Sequence, residues 1–187
     1  MMSRNLLCIV LSVVFASAAS AAMLENESFE ELGDSFDKAS GWNRWGDWIN
    51  REDSWTPTHD GTCILAYHHW QIETEDSSGF WQDAKNIRPG KMYTFSVYAN
   101  ADPSNDGRAN PDSVELRMET TLDGEQSTVA SQTFRFDDIA TGGDWSKLQV
   151  KARAPNDNLR VLVIMTPGKG GERGGALKFD SAAIVDE

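Results

Sequence analysis

The chain has 187 residues, and 29 acidic side chains against 17 basic ones give it a formal net charge of −12 and a pI near 4.6. A field of that sign repels nucleic acid and anionic lipid, so neither is expected as a partner; it suits a neutral ligand or a cation. The length fits one domain with a substantial core.

In chain order, Arg4, the apolar run Leu6–Phe15 and the small-residue stretch Ala16–Ala22 have the layout of a secretory signal peptide over residues 1–22. The apolar part is too short to span a bilayer, which needs about 20 residues. The expected mature chain is a single domain, Met23–Glu187, secreted or periplasmic, and nothing later in it is apolar enough to insert into a membrane. Cys63 is the one cysteine left after cleavage, so no intrachain disulfide is expected and the thiol reads as a buried strand residue.

Period-two alternation broken by turns then predicts strands at Leu24–Glu30, Trp42–Trp48, Cys63–His69, Phe80–Lys85, Tyr93–Ala99, Val114–Glu119, Thr128–Phe136, Ser146–Ala154, Leu159–Met165 and Lys178–Val185. Leu159–Met165 is almost continuously apolar and reads as a central strand. Turn signals separate the runs at Arg88-Pro89-Gly90-Lys91, Ser104-Asn105-Asp106-Gly107, Asp123-Gly124, Thr141-Gly142-Gly143-Asp144 and Ala154-Pro155-Asn156-Asp157, and Gly168–Gly175 reads as a flexible hairpin tip. No mature segment carries a convincing amphipathic helix. The expected fold is all-β, an antiparallel two-sheet β-sandwich of about ten strands.

Six motifs in order resemble the jelly-roll carbohydrate-binding modules of families four, nine, sixteen and twenty-two, which share a galactose-binding-like fold. They are Leu24-Glu25-Asn26-Glu27-Ser28-Phe29-Glu30, Trp42-Asn43-Arg44-Trp45-Gly46, Asp60-Gly61-Thr62, Gln82-Asp83-Ala84 with Arg88–Ser96, Gly143–Leu148, and Leu177–Ala182. The longer, Gly-rich tip at Gly168–Gly175 departs from the pattern. The resemblance implies a jelly roll that binds polysaccharide or oligosaccharide without catalysis. Such modules are usually attached to a glycoside hydrolase; this chain shows no catalytic domain, so it is expected to act alone or through a separate glycoside hydrolase or a cell-surface partner.

The resemblance also implies a structural calcium ion where the first and last strands meet, with Glu30 and Asp180 as carboxylate ligands, a backbone carbonyl near Thr62 and Asp60 as contributor. Hard oxygens are the right donors for that ion. Sugar recognition needs aromatic faces and fixed hydrogen-bonding groups, and all seven tryptophans lie in the mature chain. Trp42 and Trp145 fall in framework motifs and read as core. Strand parity turns Tyr98, Glu115, Arg117 and Glu119 outward, and the resemblance sets Gln82 inward and Trp81 outward. The expected binding face carries Trp81, Tyr98, Arg117 and Glu119. Trp45, Trp48 and Trp55 are expected to rim it, with Trp48 the candidate, and His68 or His69 to hydrogen-bond at its edge, with His68 the candidate. Adjacent strand residues face opposite ways, so these histidines do not form a zinc pair.

Two other classes compete with glycan binding: a structural or protein-contact surface protein on the same fold, and a polysaccharide-active enzyme. Against the enzyme, Glu115 and Glu119 stand about 13 Å apart by strand rise, outside the carboxylate separations of glycosidases. No nucleophile elbow is present.

Overall fold

The computed structural model describes residues 22–187 except 54 and 56; the expected signal peptide lies outside the described residues but for Ala22. Ten strands form: β1 Asn43–Trp45, β2 Ile49–Asp53, β3 Cys63–His68, β4 Ser78–Ala84, β5 Met92–Asp102, β6 Ser113–Leu122, β7 Glu125–Arg135, β8 Ser146–Arg153, β9 Leu159–Thr166 and β10 Ala176–Asp186. They pair antiparallel into two five-stranded sheets: a front sheet, β1-β4-β9-β6-β7, and a back sheet, β2-β3-β10-β5-β8. Two single-turn 3₁₀ helices, His69–Gln71 and Phe136–Asp138, are the helical structure among the described residues.

The inward residues of the two sheets make one core. Phe80, Leu116, Met118, Val161 and Val163 of the front sheet meet Leu65, Tyr67, Phe95, Val97 and Phe179 of the back sheet, all of them buried. Phe29, Trp42, Phe80 and Phe179 form an aromatic chain across it, with ring centroids 5.3–5.9 Å apart and mostly edge to face. Each such pair adds about 0.5–1.5 kcal/mol beyond area burial. The Trp42 indole N–H donates to the Asn26 carbonyl at 3.1 Å, so its one polar atom is satisfied. Trp42 is therefore core, as its motif predicts. β9 is central, between β4 and β6, which explains its apolar run.

Two predicted strands are redrawn. Leu24–Glu30 is not a strand, because Asn26 and Phe29 have left-handed backbones (φ 49° and 59°). The Asn26 side chain bonds Glu31 N and the carbonyls of Glu31 and Ser40, replacing ladder contacts, while Phe29 turns fully into the core. Trp42–Trp48 is cut short after Trp45. Gly46 adopts φ +75° hard against Ser78, where a Cβ would meet the serine Oγ at 2.4 Å. The chain there leaves the front sheet and enters the back sheet as β2.

Candidate functional site

Strand register fixes what the front sheet shows to solvent. Across β1-β4-β9-β6-β7, one row runs Asn43, Trp81, Leu162, Arg117, Ser131; beside it lie Trp45, Gly79, Ile164, Glu115, Thr133 on one flank and Asp83, Arg160, Glu119, Thr128 on the other. Leu162 and Ile164 form an apolar floor, nearly covered by their neighbours. Trp45 lies over Gly79 so closely that a Cβ there would sit 2.1 Å from the indole, so only glycine admits the ring. Trp81 is half-buried, with the Arg160 guanidinium 3.6 Å from its ring centroid. Asp83 holds that guanidinium through two bonds, of 2.7 and 3.0 Å. Arg117 donates two bonds to Glu115, at 2.7 and 3.1 Å, and one to Glu119 at 3.3 Å. The Glu115 hydrogen bond pushes the Arg117 pKa up against partial burial. With neighbouring strands about 4.8 Å apart, Trp81 and Arg117 stand roughly 10 Å apart across β9. Two indoles, an apolar floor and fixed donors and acceptors on both flanks are the elements that pyranose stacking and hydroxyl recognition require.

Tyr98, expected on this face, is on the other sheet. It points outward, but from β5, where it pairs with Asp180 and Lys147. Its ring is covered by His59, stacked at 3.5 Å. Trp48 and His68 belong to the back sheet as well. The Trp48 carbonyl accepts the His68 N–H at 3.1 Å. His68 Nε2 lies 2.5 Å from Glu52 Oε1, and its ring sits between Trp55 (5.5 Å, stacked) and Trp70 (4.6 Å, edge-on). Trp55 donates its indole N–H to Asp102 at 3.0 Å and lies 5.1 Å from the Lys178 ammonium, itself 1% exposed. Burial pushes the Lys178 pKa down, against the pull of Asp102. His69 faces inward, bonding Gly174 O and Gly168 N and fastening the Gly-rich tip. Gln82 is inward too, clamping Glu25 and Gly41.

The expected calcium ligands are engaged with N–H and O–H donors. Glu30 Oε1 accepts Thr62 N (2.7 Å) and Cys63 N (2.8 Å), and Oε2 accepts the Thr62 hydroxyl (3.1 Å). Burial opposes its ionisation, but these bonds together hold its pKa below the ordinary value. Asp180 is fully buried, and burial pushes its pKa up although His59 N, Asp60 N and Ser181 N all donate to it. The Asp60 carboxylate takes the N–H of Gly61. Among the described residues, no three His, Cys, Asp or Glu side chains converge on one point. Both carboxylates are thus engaged, as arranged, with N–H and O–H donors of the segment leading into β3 and of Ser181 rather than with one another.

Of the six residues expected at the glycan site, then, Trp81, Arg117 and Glu119 share the front face, while Tyr98, Trp48 and His68 lie on the back sheet. Parity tells inward from outward but not which sheet a strand joins, and that is what the expected face lacked. Arg160, Asp83 and Trp70 were overlooked. Arg160 is the one charge in the apolar β9 run, and that break marks the side of β9 that faces solvent.

The CBM_4_9 family, a carbohydrate-binding domain, matches residues 21–169. No curated protein matches the chain. Among solved structures, the chain is similar to TmCBM61 in complex with β-1,4-galactotriose, at TM-score 0.57 and 16% identity over 90% of this chain and 100% of that one. It is similar to a CBM4 structure at TM-score 0.51 and 20% identity, covering 88% and 99%. A cyclase from Fischerella sp. TAU, in complex with 4-(1H-indol-3-yl)butan-2-one, gives TM-score 0.62 and 15% identity over 90% and 98%. At these identities the likeness is one of fold.

Proposed function

The chain belongs to the CBM_4_9 carbohydrate-binding domain family, and from that premise we propose that it is a secreted or periplasmic, non-catalytic protein that holds a polysaccharide or oligosaccharide on the outer face of the front sheet. The observation that carries this reading is the row Trp81–Leu162–Arg117, flanked by Trp45 and by charges already held in place. The Trp81 and Trp45 rings supply stacking faces; Arg117, Glu115 and Glu119 supply donors and acceptors. Binding without catalysis suits this face because each of its carboxylates is bonded to an arginine. The space between the sheets is filled by Phe29, Trp42, Phe80, Phe95 and Phe179. No step runs through a metal ion.

The test is binding to a panel of soluble and insoluble polysaccharides with tryptophan fluorescence as readout, beginning with β-1,4-galactan, xylan and cellulose. We expect one neutral polymer class to shift the emission. Trp81→Ala should weaken that binding at least about tenfold, since buried aromatic anchors dominate binding energy, and should leave the melting temperature nearly unchanged because the ring stands outside the core. Silence across the panel moves the reading to a structural or protein-contact surface. Unfolding of Trp81→Ala returns Trp81 to the core.

A further inference from the structure

A second aromatic surface lies on the back sheet, on the far side of the sandwich from Trp81. Trp55 and Trp70, 43% and 42% exposed, stack and abut on His68 at the end of β3, and Trp48, 46% exposed, adjoins through its carbonyl, which accepts the His68 N–H. Half-exposed indoles brought together by separate segments are not what a solvated surface accumulates by chance. Their orientation is fixed in advance. Asp102 accepts the Trp55 indole N–H, Lys178 lies beneath the ring, and His68, itself tied to Glu52, separates Trp55 from Trp70. The buried Nδ1 of His68 has no hydrogen-bond partner, so the cluster is not optimised for stability alone.

Beside these rings is a hollow of about 360 Å³, lined by Trp70, Asp102, Ser104, Asn105, Arg108 and Gly174. That volume lies in the small-molecule range of about 300–1,000 Å³. Its walls are polar and its floor reaches the carboxylate that anchors Trp55. Arg108 pairs with Asp106 and Glu172, exposed partners that a ligand hydroxyl can displace. The Gly-rich tip supplies Gly174.

We propose that this hollow and the Trp55–His68–Trp70 cluster form a second saccharide-binding site, which takes a short oligosaccharide or the terminal unit of a chain. The hollow is shallow and lined mostly by one cluster of loop residues, so its footprint suits a short saccharide, whereas the front face runs across five strands. The proposal rests on the carbohydrate-binding reading for its ligand class but not on the front face for its location.

The experiment follows the seven indole N–H cross-peaks by NMR, assigned from single substitutions, while the purified protein is titrated with β-1,4-galactotriose, xylohexaose and cellohexaose. We expect at least one sugar to move the Trp55 and Trp70 peaks, the movement to persist in Trp81→Ala, and Trp70→Ala to weaken it at least tenfold with an unchanged melting temperature. If the Trp81 peak moves while Trp55 and Trp70 stay still for every sugar, or if Trp81→Ala abolishes all shifts, the second site is wrong and the front-face reading stands. If Trp55 and Trp70 respond while Trp81 does not, the second site stands and the front face falls. If no indole responds, both fall.

Discussion

Arg160 lies 3.6 Å from the centroid of Trp81 and is tethered to Asp83, so the ring proposed to stack on sugar is already covered by a guanidinium. An exposed cation–π contact is worth about 0.5–1 kcal/mol, and an exposed ion pair about 0–1 kcal/mol. A pyranose stacking on that ring face must displace the guanidinium and lose part of both. Arg160→Ala should therefore tighten glycan binding by up to about tenfold, which corresponds to 1.4 kcal/mol, and titration calorimetry measures it. Weaker binding in this variant would mean that Arg160 instead stays in the complex and donates to a sugar hydroxyl. The same substitution removes the cation from the Trp81 ring face, so the ligand-free emission should change too.

At the scale of elements, the segment before β3 is held by two carboxylates. Asp180 takes the His59 and Asp60 amides, and Glu30 takes those of Thr62 and Cys63. Charge-assisted bonds of this kind contribute more than neutral ones. Glu30→Gln should lower the melting temperature by a few degrees, at about 2–4 °C per kcal/mol for a domain of this size. The sign of the pH dependence follows from its lowered pKa. The Glu30 contribution is complete above the ordinary value of 4.5 and fades as pH falls through the folded value, so Glu30→Gln should also flatten the acid limb of the stability curve. Because amides rather than carbonyls face both carboxylates, a chelator should leave the melting temperature unchanged; a clear fall on adding EDTA would show that a cation holds this loop. Much of the architecture is legible in the sequence at this scale. Eight of the ten predicted runs coincide with a strand to within a few residues, because alternation follows directly from one-sided burial. The two that fail, at the first strand and at Trp42–Trp48, fail where backbone conformation rather than hydrophobicity decides: left-handed Asn26 and Phe29, and Gly46 wedged on Ser78. The site was half legible. Outward parity found Trp81, Arg117 and Glu119, but nothing local in the sequence says that β5 pairs with β10 while β6 pairs with β9, and that pairing sends Tyr98 to the opposite surface.

At the scale of the molecule, the charge of −12 acts on every ligand before contact. Around Trp81 the arginines give little counterweight at long range, since Arg117 is bonded to two glutamates and Arg160 to Asp83, three acids against two bases in that cluster. A neutral glycan feels little of this field, and its affinity should change by less than about threefold between 0.1 and 1 M NaCl, where screening shortens from about 10 to 3 Å. A polyuronate meets repulsion from the whole molecule, and the two arginines nearest Trp81 are already held by carboxylates. Pectate or alginate should therefore bind at least tenfold more weakly than the preferred neutral polymer at low salt, and the gap should narrow as salt rises. Affinity electrophoresis in gels cast with each polymer, run at two ionic strengths, measures both quantities. Tight, salt-sensitive binding of a polyuronate would show instead that ligand breaks the Arg117 or Arg160 pairs and recruits those cations, so that the paired state seen here is the resting arrangement of a site for acidic sugars.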